Sequence, residues 1–448
     1  MKFELTKELL TRIEDAVDAQ DTQFFQDEVC PLHSADIAEI IDEVNLEQAQ
    51  FIYRQLDKER AAEVLVELEE DVRDEFLKSL SDDEIAFQVE RMDSDDAADF
   101  IQDLPEDRKD EILSNLEDVE HSSDIASLLS YDEDTAGGLM AKEFICANIN
   151  WTVGEALANL REQAQEINYV YTIYTVDDHN RLMGTLSLKT FLYSDNDTKI
   201  KDLYADDPIS VNAATDDREV ARIMEKYDLV AIPVVNHSNV LIGRITIDDV
   251  VDVIKEDAER ERQLATGVSE KIESRDSIWV ITRARLPWLL IGMMGGVFGA
   301  LVIGRFEGQL DRFPELAFFI PLIAAMGGNI GVQSSSLIVQ GLANNTLKFD
   351  STLQKILKEV GVALVNGAVL SSLIFIYNFA FGENYSLCFT VSVALFAVII
   401  LAGILGSLVP LLLHRYKIDP ALATGPFITT LNDILGLLLY FMIGYAFY

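Results

Sequence analysis

The last part of the chain carries five apolar runs, and each exceeds the ~20 residues that an α-helix needs to cross a bilayer. The runs cover residues 286–306, 316–342, 360–381, 387–413 and 421–447. Because runs of this length are typical of membrane-spanning helices, they predict an all-α transmembrane domain of five helices over residues 286–448.

The links between the runs differ in their basic residues. Three stretches are basic: the one before the first run, the link between the second and third runs, and the link between the fourth and fifth runs. Their basic residues are, in that order, Lys271, Arg275, Arg283 and Arg285; Lys348, Lys355 and Lys358; and Arg415 and Lys417. The remaining links and the C-terminal end carry few or no Lys and Arg residues. Since cytoplasmic loops are enriched in these residues, we expect a multi-pass protein of the cell membrane with its N-terminus in the cytosol and its C-terminus outside. No apolar stretch follows Met1, so no cleaved signal peptide is expected.

The net charge of −41 is concentrated in front of these runs. Residues 1–285 contain 28 basic and 68 acidic residues, against 7 and 8 in residues 286–448. So acidic a region repels nucleic acid and anionic lipid, and its natural small partners are cations. The three cysteines and five histidines are scattered, with no CxxC or HExxH pattern, which argues against a thiolate metal site.

An internal repeat organises the front of the chain. Seven heptapeptides, from AEIIDEV at 38–44 to DEILSNL at 110–116, start 12 residues apart. Most have apolar residues at their third and fourth positions, a spacing that fits one face of a short helix. The repeat predicts an acidic α-helical solenoid over residues 1–137, because an ordinary helical bundle would not explain the equal spacing.

The residue pattern changes after the predicted solenoid. Short β-rich runs such as VYTIYTV at 170–176 alternate with helical stretches, and the order strand, polar turn, Gly-containing strand and helix occurs twice. This order predicts an α/β tandem within a mixed multidomain protein. The two units resemble a pair of CBS domains, at residues 138–200 and 201–258, and such pairs usually regulate by binding nucleotides or cations. The charged, helix-favouring stretch that follows predicts a connecting (plug) helix at 259–285.

Asp433 is the acidic residue that this reasoning places inside an apolar run, at a cost of ~2.5–3.5 kcal/mol at the bilayer centre. A cation path is favoured over the alternatives, a hydrogen bond to a neighbouring helix or a position nearer the interface. Pro426 cannot donate a backbone hydrogen bond, so we expect the helix to be broken there. The break should leave backbone carbonyls without helical partners, and these could bind a cation. Thr430 and Asn432 add oxygens near Asp433, although a simple proline kink would need no cation.

The second run contains the segment MGGNIGVQSSS at 326–336. Gly328 and its neighbouring glycines permit close backbone approach, while Asn329 and Gln333 add amide groups to an apolar helix. Small residues at this spacing are first of all a helix-packing device. The density of polar groups leaves a pore-lining role as the second interpretation.

From end to end, the chain resembles the MgtE family of magnesium transporters: acidic helical domain, CBS pair, connecting helix, five spans, GGN.G.Q and P…LND in this order. The resemblance implies a transporter rather than an enzyme. It implies a homodimer in the lipid bilayer, with one pore on the two-fold axis where paired Asp433 residues hold largely hydrated Mg²⁺. Some family members carry Asn at the position of Val332.

The chemistry of Mg²⁺ fits this expectation. Mg²⁺ sheds water reluctantly and is usually held by one or two carboxylates with waters retained, and one aspartate per subunit would bind it weakly enough for conduction. Two like charges ~4 Å apart repel by roughly 4 kcal/mol at an effective dielectric of 20, and a divalent cation between them reverses the sign. We therefore expect a feedback gate that high cytosolic Mg²⁺ closes.

The resemblance also implies regulatory metal ligands that join the solenoid, the CBS pair, the connecting helix and the loop before the last span. They are Glu63, Asp95, Asp99, Asp216, Asp228, Asp249, Asp252, Asp257 and Asp419. In particular, Asp95 and Asp99 are expected to face Asp249. For each carboxylate, a solvated surface position is the alternative. Some family members have Glu where this chain has Arg218 and Arg260, so its bridging ions are expected to be fewer or placed differently.

Other functions stay open at this stage. Thr246–Asp249 forms a T-x-x-D pattern often used to hold a ribose hydroxyl, which makes ATP a further candidate ligand, whereas Ser187–Thr190 lacks the acid. A CBS-regulated transporter of another divalent cation or of an anion is the first rival. A CBS-bearing intramembrane metalloprotease would need a zinc motif within the spans, and a nucleotide sensor without transport would leave Asp433 without a purpose.

Overall fold

The computed structural model describes residues 3–102, 104–163, 170–268, 272, 277–343, 352–381 and 385–447. The chain divides into two compact units, Met1–Ile254 and Lys255–Tyr448. The first unit holds helices and two small sheets, and in its described part the second is helical. This composition agrees with the predicted fold class.

The 12-residue sequence repeat corresponds to regularly spaced helix starts. Among the described residues, successive helices begin at 34, 46, 58, 70, 82, 94 and 106, one every 12 residues. Asn45, Asp57 and Ser81 each accept a hydrogen bond from the first turn of the helix that follows, which fixes where that helix begins. The helices of this part are α1 (Lys7–Asp18), α2 (Thr22–Phe24), α3 (Ser34–Glu43), α4 (Leu46–Tyr53), α5 (Lys58–Glu67), α6 (Glu70–Leu77), α7 (Asp82–Val89), α8 (Ser94–Gln102), α9 (Glu106–Asn115) and α10 (Val119–Leu128), with a π-helical turn at Phe25–Val29.

The repeat helices bury the apolar pairs at the third and fourth heptapeptide positions. Ile40 and Ile41 of α3 and Val64 and Leu65 of α5 have no exposed surface. Helices two apart in sequence pack on each other, α3 on α5, α5 on α7 and α7 on α9. The helices therefore stack around one continuous apolar interior, which confirms the predicted solenoid.

Two small sheets follow and repeat one topology. Their elements are β1 (Ile145–Asn148), α11 (Val153–Gln163), β2 (Ile173–Val176), β3 (Leu182–Leu186), α12 (Leu188–Tyr193), β4 (Ala205–Asp206), β5 (Val211–Asn212), α13 (Asp217–Tyr227), β6 (Ala231–Val235) and β7 (Leu241–Thr246). β1 lies parallel to β2, and β3 and β4 continue the first sheet antiparallel. In the second sheet β5 lies parallel to β6, and β7 is antiparallel. The duplicated order confirms the predicted α/β tandem.

The predicted connecting helix at 259–285 falls on the end of α14 (Ile247–Thr266), on the start of α15 (Ile278–Arg305) and on residues 269–271 and 273–276, which lie outside the described part of the chain. α14 runs without interruption across the boundary predicted between 201–258 and 259–285. The next helix, α15, begins before residue 286 and includes the last part of the predicted connecting helix. The prediction missed this because apolar content was used to mark the start of the span, whereas a helix can extend beyond its apolar part.

α14 ends in a glycine cap. Gly267 has a φ of +82°, which glycine adopts without a steric penalty. The N–H of Gly267 donates to the carbonyl of Leu264, and the N–H of Val268 donates to that of Gln263. These two bonds satisfy carbonyls that the end of the helix would otherwise leave unpaired.

Five helical segments in the described part of the chain are long and apolar enough to cross a bilayer. This number agrees with the sequence, but α15 and α18 begin at Ile278 and Thr352 rather than at 286 and 360. The helices after α15 are α16 (Glu307–Arg312), α17 (Ile320–Ala343), α18 (Thr352–Phe381), α19 (Tyr385–Arg415) and α20 (Pro426–Phe447), with 3₁₀ turns at Pro314–Phe319 and Pro420–Ala423.

α19 lies at the centre of the second unit, where it packs against α17, α18 and α20. α15 instead contacts α20 along one narrow stripe, Ala284, Trp288, Gly295 and Gly299, and most of its other apolar side chains are exposed in the single chain. The second unit therefore has a packed centre and an open flank.

Candidate functional site

Asp433 lies half-buried on α20, opposite a glycine of α17. A Cβ added at Gly328 would lie 3.0 Å from Cγ2 of Thr429 and 3.7 Å from Oδ1 of Asp433. Glycine at 328 therefore brings the backbone of α17 close to Thr429 and Asp433, and a Cβ there would be tight against the Thr429 side chain.

α17 presents its amide side chains on an open face. Gly327, Gly328 and Gly331 are buried, whereas Asn329 and Gln333, one helical turn apart, are exposed in the single chain. Hydrocarbon offers no hydrogen bond to a carboxamide, so this face favours water or another protein chain over lipid. The exposed amides and Asp433 lie in the same packed pair of helices, α17 and α20.

Two other predicted pore residues face neighbouring helices. Thr430 packs on Gly295 of α15, where an added Cβ would collide with its Cγ2. Asn432 is 2% exposed and packs against Gly331, and neither atom of its amide has a hydrogen-bond partner in the part of the chain that the structure describes. Asn432 is therefore buried between helices while Thr430 is half-buried, and a pore-lining role of either residue stays a prediction.

The chain is broken before α20, as Pro426 predicted. Pro426 is the first residue of the helix, and Gly425 before it has a φ of +56°. The carbonyl of Ala423 accepts a hydrogen bond of 3.0 Å from Oγ of Ser335, and that of Gly425 accepts one of 3.0 Å from Oγ1 of Thr429. These two carbonyls are therefore satisfied by protein groups, and Pro426 acts as a helix start.

A second carboxylate lies within a membrane helix. Glu359 belongs to α18, inside the span Gln354–Phe381, and accepts a hydrogen bond of 3.2 Å from Oγ of Ser334. The expectation that Asp433 alone stands in a span is therefore wrong. Glu359 was missed because it directly precedes the apolar run that begins at residue 360.

In the first unit, carboxylates from two helix starts lie within electrostatic reach of one another. Asp95 and Asp96 are at the start of α8, and Asp249 is in the first turn of α14. Burial raises the pKa of Asp95 well above its usual range, and repulsion from Asp96 and Asp249 adds to the shift. Burial raises the pKa of Asp96 to about 7, with repulsion from Asp93 and Asp249, and that of Asp249 to about 6. We call Asp93, Asp95, Asp96, Asp248 and Asp249 the acidic cluster.

Glu143 positions the acidic cluster. Its carboxylate accepts hydrogen bonds of 3.1 Å from the N–H of Ser94 and 2.8 Å from Oγ of Ser94, and the N–H of Lys142 donates to the same Oγ over 2.8 Å. Ser94 is completely buried. This contact holds the start of α8 against the segment before β1. Sequence reasoning missed Glu143 because the two partners are 49 residues apart and no local pattern marks them.

Asp249 also closes a local cap. The N–H and Oγ1 of Thr246 both donate to Oδ2 of Asp249 over 2.9 Å. The T-x-x-D pattern therefore has a structural role at the start of α14, independent of any ribose. These hydrogen bonds oppose the rise in the pKa of Asp249.

The structure places the remaining predicted ligands of the first unit differently from one another. Asp99 is exposed on α8 and adds to the repulsion on Asp96. Glu63 accepts a hydrogen bond from Oγ of Ser34 and is not among the groups that act most strongly on Asp95. The charge of Asp249 adds to the rise that burial causes in the pKa of Asp95, but their joint binding of a metal stays a prediction, while Glu63 is engaged at the start of α3.

Three other acidic candidates lie at helix ends or on an exposed face. Asp216 accepts a hydrogen bond of 3.2 Å from the N–H of Arg218 at the start of α13, and Asp228 ends that helix with a φ of +51°. Asp252 is exposed on α14. Asp216 and Asp228 thus have structural roles at the two ends of α13, and metal binding by any of the three stays a prediction.

Two predicted metal ligands belong to the second unit, one on α14 and one in the turn before α20. Asp257 is half-buried on α14, and Asp419 is exposed and accepts a hydrogen bond of 2.8 Å from the N–H of Ala421 at the turn before α20. Among the described residues, no group of three or more His, Cys, Asp or Glu side chains is close enough to hold a metal ion directly. Any cation at the acidic cluster would therefore need retained water or a closer approach of the carboxylates.

Three family models match the chain and together cover most of it. The MgtE intracellular N domain matches residues 32–134, the CBS domain matches 136–196 and 200–256, and the MgtE divalent cation transporter model matches 320–443. These matches follow the order of the solenoid, the two sheets and the membrane helices.

Relatives named magnesium transporter MgtE are similar to the chain over most of its length. The Bacillus subtilis protein is 36% identical over 329 residues, 73% of this chain and 72% of that protein. The Thermus thermophilus protein is 32% identical over 445 residues, 98% of each chain.

Two solved structures are similar to the front part of the chain. The soluble part of a magnesium transporter has a TM-score of 0.51 at 30% identity and covers 56% of this chain and 99% of that chain. The cytosolic domain of the Mg²⁺ channel MgtE in complex with ATP has a TM-score of 0.51 at 33% identity and covers 55% and 99%.

Proposed function

The chain belongs to the MgtE family of magnesium transporters, and from this premise we propose that it conducts Mg²⁺ through a membrane pore beside Asp433. The open polar face of α17 carries the proposal. Asn329 and Gln333 are exposed on a helix that otherwise packs by glycine, and the half-buried carboxylate of Asp433 lies across from Gly328. Polar groups of this kind line water rather than lipid.

The ligand types at this position suit a hydrated divalent cation. Mg²⁺ keeps several of its waters, so a carboxylate can attract it while amide groups hydrogen-bond its water shell. A single carboxylate per chain holds the ion loosely, which permits release on the far side. The proposed conduction path therefore uses Asp433, Asn329 and Gln333.

The proposed pore lies between two copies of the chain. The polar face of α17 is uncovered in a single copy, and a second copy related by two-fold symmetry would face it with the same groups. The first unit also exposes large apolar side chains, including Leu192 and Tyr193 on α12, at 83% and 71%, and Val230 at 52%. Such side chains suit a contact between copies, so we propose a homodimer.

The acidic cluster is the proposed sensor of cytosolic Mg²⁺. Burial is the main cause of the raised pKa values of Asp95, Asp96 and Asp249, and repulsion between neighbouring carboxylates adds to each of them in the absence of a cation. A divalent cation between α8 and α14 would replace that repulsion with attraction and favour the arrangement held by Glu143 and Ser94. We propose that this arrangement closes the pore at high cytosolic Mg²⁺.

The pore is tested by Mg²⁺ uptake into proteoliposomes that contain a Mg²⁺-sensitive dye. Asp433→Asn keeps the size of the side chain and removes its charge, and we expect uptake to fall by about tenfold or more, the equivalent of ~1.4 kcal/mol. Glu359→Gln is the matched control, since it neutralises another carboxylate of a membrane helix, and it should retain most uptake. Unchanged uptake in Asp433→Asn would overturn the proposed pore.

ATP is a second candidate ligand, proposed for the sheet part of the first unit. The guanidinium of Arg244 lies 5.5 Å from the ring centre of Tyr171, which places a cation beside an aromatic ring at the edge of a small cavity of about 10 Å³. An adenine ring and phosphates need such groups, but the cavity would have to widen. Isothermal titration of the full-length protein with ATP tests this, and Tyr171→Ala should weaken binding; no heat of binding in the parent protein would refute it.

A further inference from the structure

A cavity of about 620 Å³ lies in the second unit, outside the proposed pore residues. The end of α14, the first half of α15 and the start of α20 form its walls. The lining residues are Thr266, Gly267, Val268, Arg285, Trp288, Leu289, Gly292, Met293 and Pro426. A volume of this size accommodates a drug-sized molecule or part of a lipid.

The cavity has a charged end. Arg285 is exposed at its edge, and within the described residues its guanidinium forms no ion pair. Arginine presents several N–H donors in one plane and therefore binds phosphate groups through paired, charge-assisted hydrogen bonds. Trp288 lies within one helical turn of Arg285 and is 8% exposed, and tryptophan is typical of the boundary between water and hydrocarbon.

The rest of the cavity is an apolar groove that continues along α15. Arg285, Leu289 and Met293 follow one another at a spacing of four residues, so they lie on one face and descend by about 12 Å. A Cβ at Gly292 would meet nothing within 4 Å, which leaves the groove open beside Leu289 and Met293. A cation at the mouth and an apolar channel leading inward match a molecule with an anionic head and an apolar chain.

We propose that this cavity binds an anionic phospholipid, with its phosphate on Arg285 and one acyl chain along Leu289, Gly292 and Met293. The position fits this ligand, because Arg285 is near the end of α15 that the charge distribution predicts to be cytosolic, where anionic lipids meet basic pockets between helices. A free phosphate would use Arg285 alone and leave the apolar groove empty, so the lipid accounts for both parts of the cavity.

The test is native mass spectrometry of the full-length protein with phosphatidylglycerol or phosphatidylcholine of the same acyl chains. We expect the parent protein to retain phosphatidylglycerol in preference to phosphatidylcholine. Arg285→Gln should lower this preference about fivefold, the effect of one basic group at a lipid surface. Gly292→Leu should reduce retention of both lipids, because its side chain fills the groove.

Matched controls come from the same helix. Arg305→Gln removes a positive charge at the opposite end of α15, and Gly296→Leu adds the same side chain at a glycine that also has nothing within 4 Å but does not line the cavity. Both should keep the lipid preference of the parent protein. The readout is binding, so it does not depend on the proposed transport.

Three results would overturn the proposal. The first is an equal preference for phosphatidylglycerol in the parent protein and in Arg285→Gln. The second is competition in which inorganic phosphate displaces the lipid from the parent protein but not from Arg285→Gln, which would identify the site as one for free phosphate. The third is loss of the dimer, seen in the same spectra, in Gly292→Leu but not in Gly296→Leu, which would mean that a second copy of the chain covers the groove.

Discussion

In the first unit, Asp95, Asp96 and Asp249 lie close enough to repel one another, whereas in the second unit Asp433 and Glu359 lie on separate helices, α20 and α18. The first arrangement follows from the high density of acidic residues, since 68 of them precede residue 286. The second is made by packing, since glycines of α17 define what stands beside Asp433. The difference teaches that the protonation and cation binding of a carboxylate in the first unit depend on the other carboxylates nearby. In the second unit they depend on how the helices around the carboxylate are packed.

The largest expected effect tests the packing that positions the membrane carboxylates. A Cβ at Gly406 of α19 would lie 2.5 Å from the carbonyl oxygen of Gly331 on α17. Gly406→Val should therefore destabilise the second unit by about 1–3 kcal/mol or more, because backbone must move. Gly361→Val is the control, since nothing lies within 4 Å of a Cβ there. Thermal unfolding in detergent measures both, and equal melting temperatures would contradict this account of the packing.

The next effect tests whether the acidic cluster acts through its charge. Asp249→Asn keeps an oxygen that can accept from Thr246 and removes one repelling charge. We expect the Mg²⁺ concentration that half-closes the pore to rise roughly fivefold or more, because a coupling of 1–3 kcal/mol is lost. Single-channel or flux recordings measure it, with Asp202→Asn, an exposed aspartate of the same unit, as the control. A closing concentration shared by all three proteins would remove Asp249 from the sensor.

A smaller effect is expected from pH. The pKa values of Asp96 and Asp249 are about 7 and about 6 in the folded protein, above the usual 3.8 of an unfolded chain. The folded state therefore holds more protons, so the stabilisation is present at low pH and is lost as the pH rises through about 6 to 7.

Hydrogen exchange of the amides of α8 measures this loss in the full-length protein. Without divalent cations, and after correction for intrinsic rates, exchange should be severalfold faster at pH 8 than at pH 6. Millimolar Mg²⁺ at pH 8 should reverse the difference, since the cation replaces the protons. A pH-independent exchange rate without Mg²⁺ would contradict the assigned repulsion.

The smallest expected effect tests whether Asp216 is a helix cap or a metal ligand. Asp216 caps α13, so Asp216→Ala should cost ~1 kcal/mol of unfolding free energy, whereas Asp216→Asn keeps a capping oxygen and should cost little. Neither should change the Mg²⁺ concentration for closure. A shift in closure in both variants, without a loss of stability, would return Asp216 to the set of metal ligands.

Periodic features of the fold could be predicted from the sequence because they depend on local rules. The 12-residue spacing of the heptapeptides became the spacing of the helix starts, since each polar tetrad supplies a cap and each apolar pair a buried face. The number of membrane helices followed from the length of the apolar runs. The boundary at residue 258 did not, because composition changes inside α14 while its helical hydrogen bonding continues.

The candidate site could be predicted only in part, because residue type does not say which way a side chain faces. Asn329 and Asn432 are the same residue in apolar helices, yet one is exposed and the other is 2% exposed against Gly331. Glu143 supports the acidic cluster through Ser94, a contact that only the folded chain creates. Orientation and long-range partners therefore had to come from the structure.

The equal spacing of the helix starts makes the first unit extendable. Because each helix packs on the helix two places earlier, an insertion of 24 residues in the middle of the stack would add one helix to each of the two alternating rows and leave α8 beside Glu143 as before. An insertion of 12 residues would instead move every later helix into the other row. Longer and shorter versions of this stack could thus present the same acidic end to the same partner.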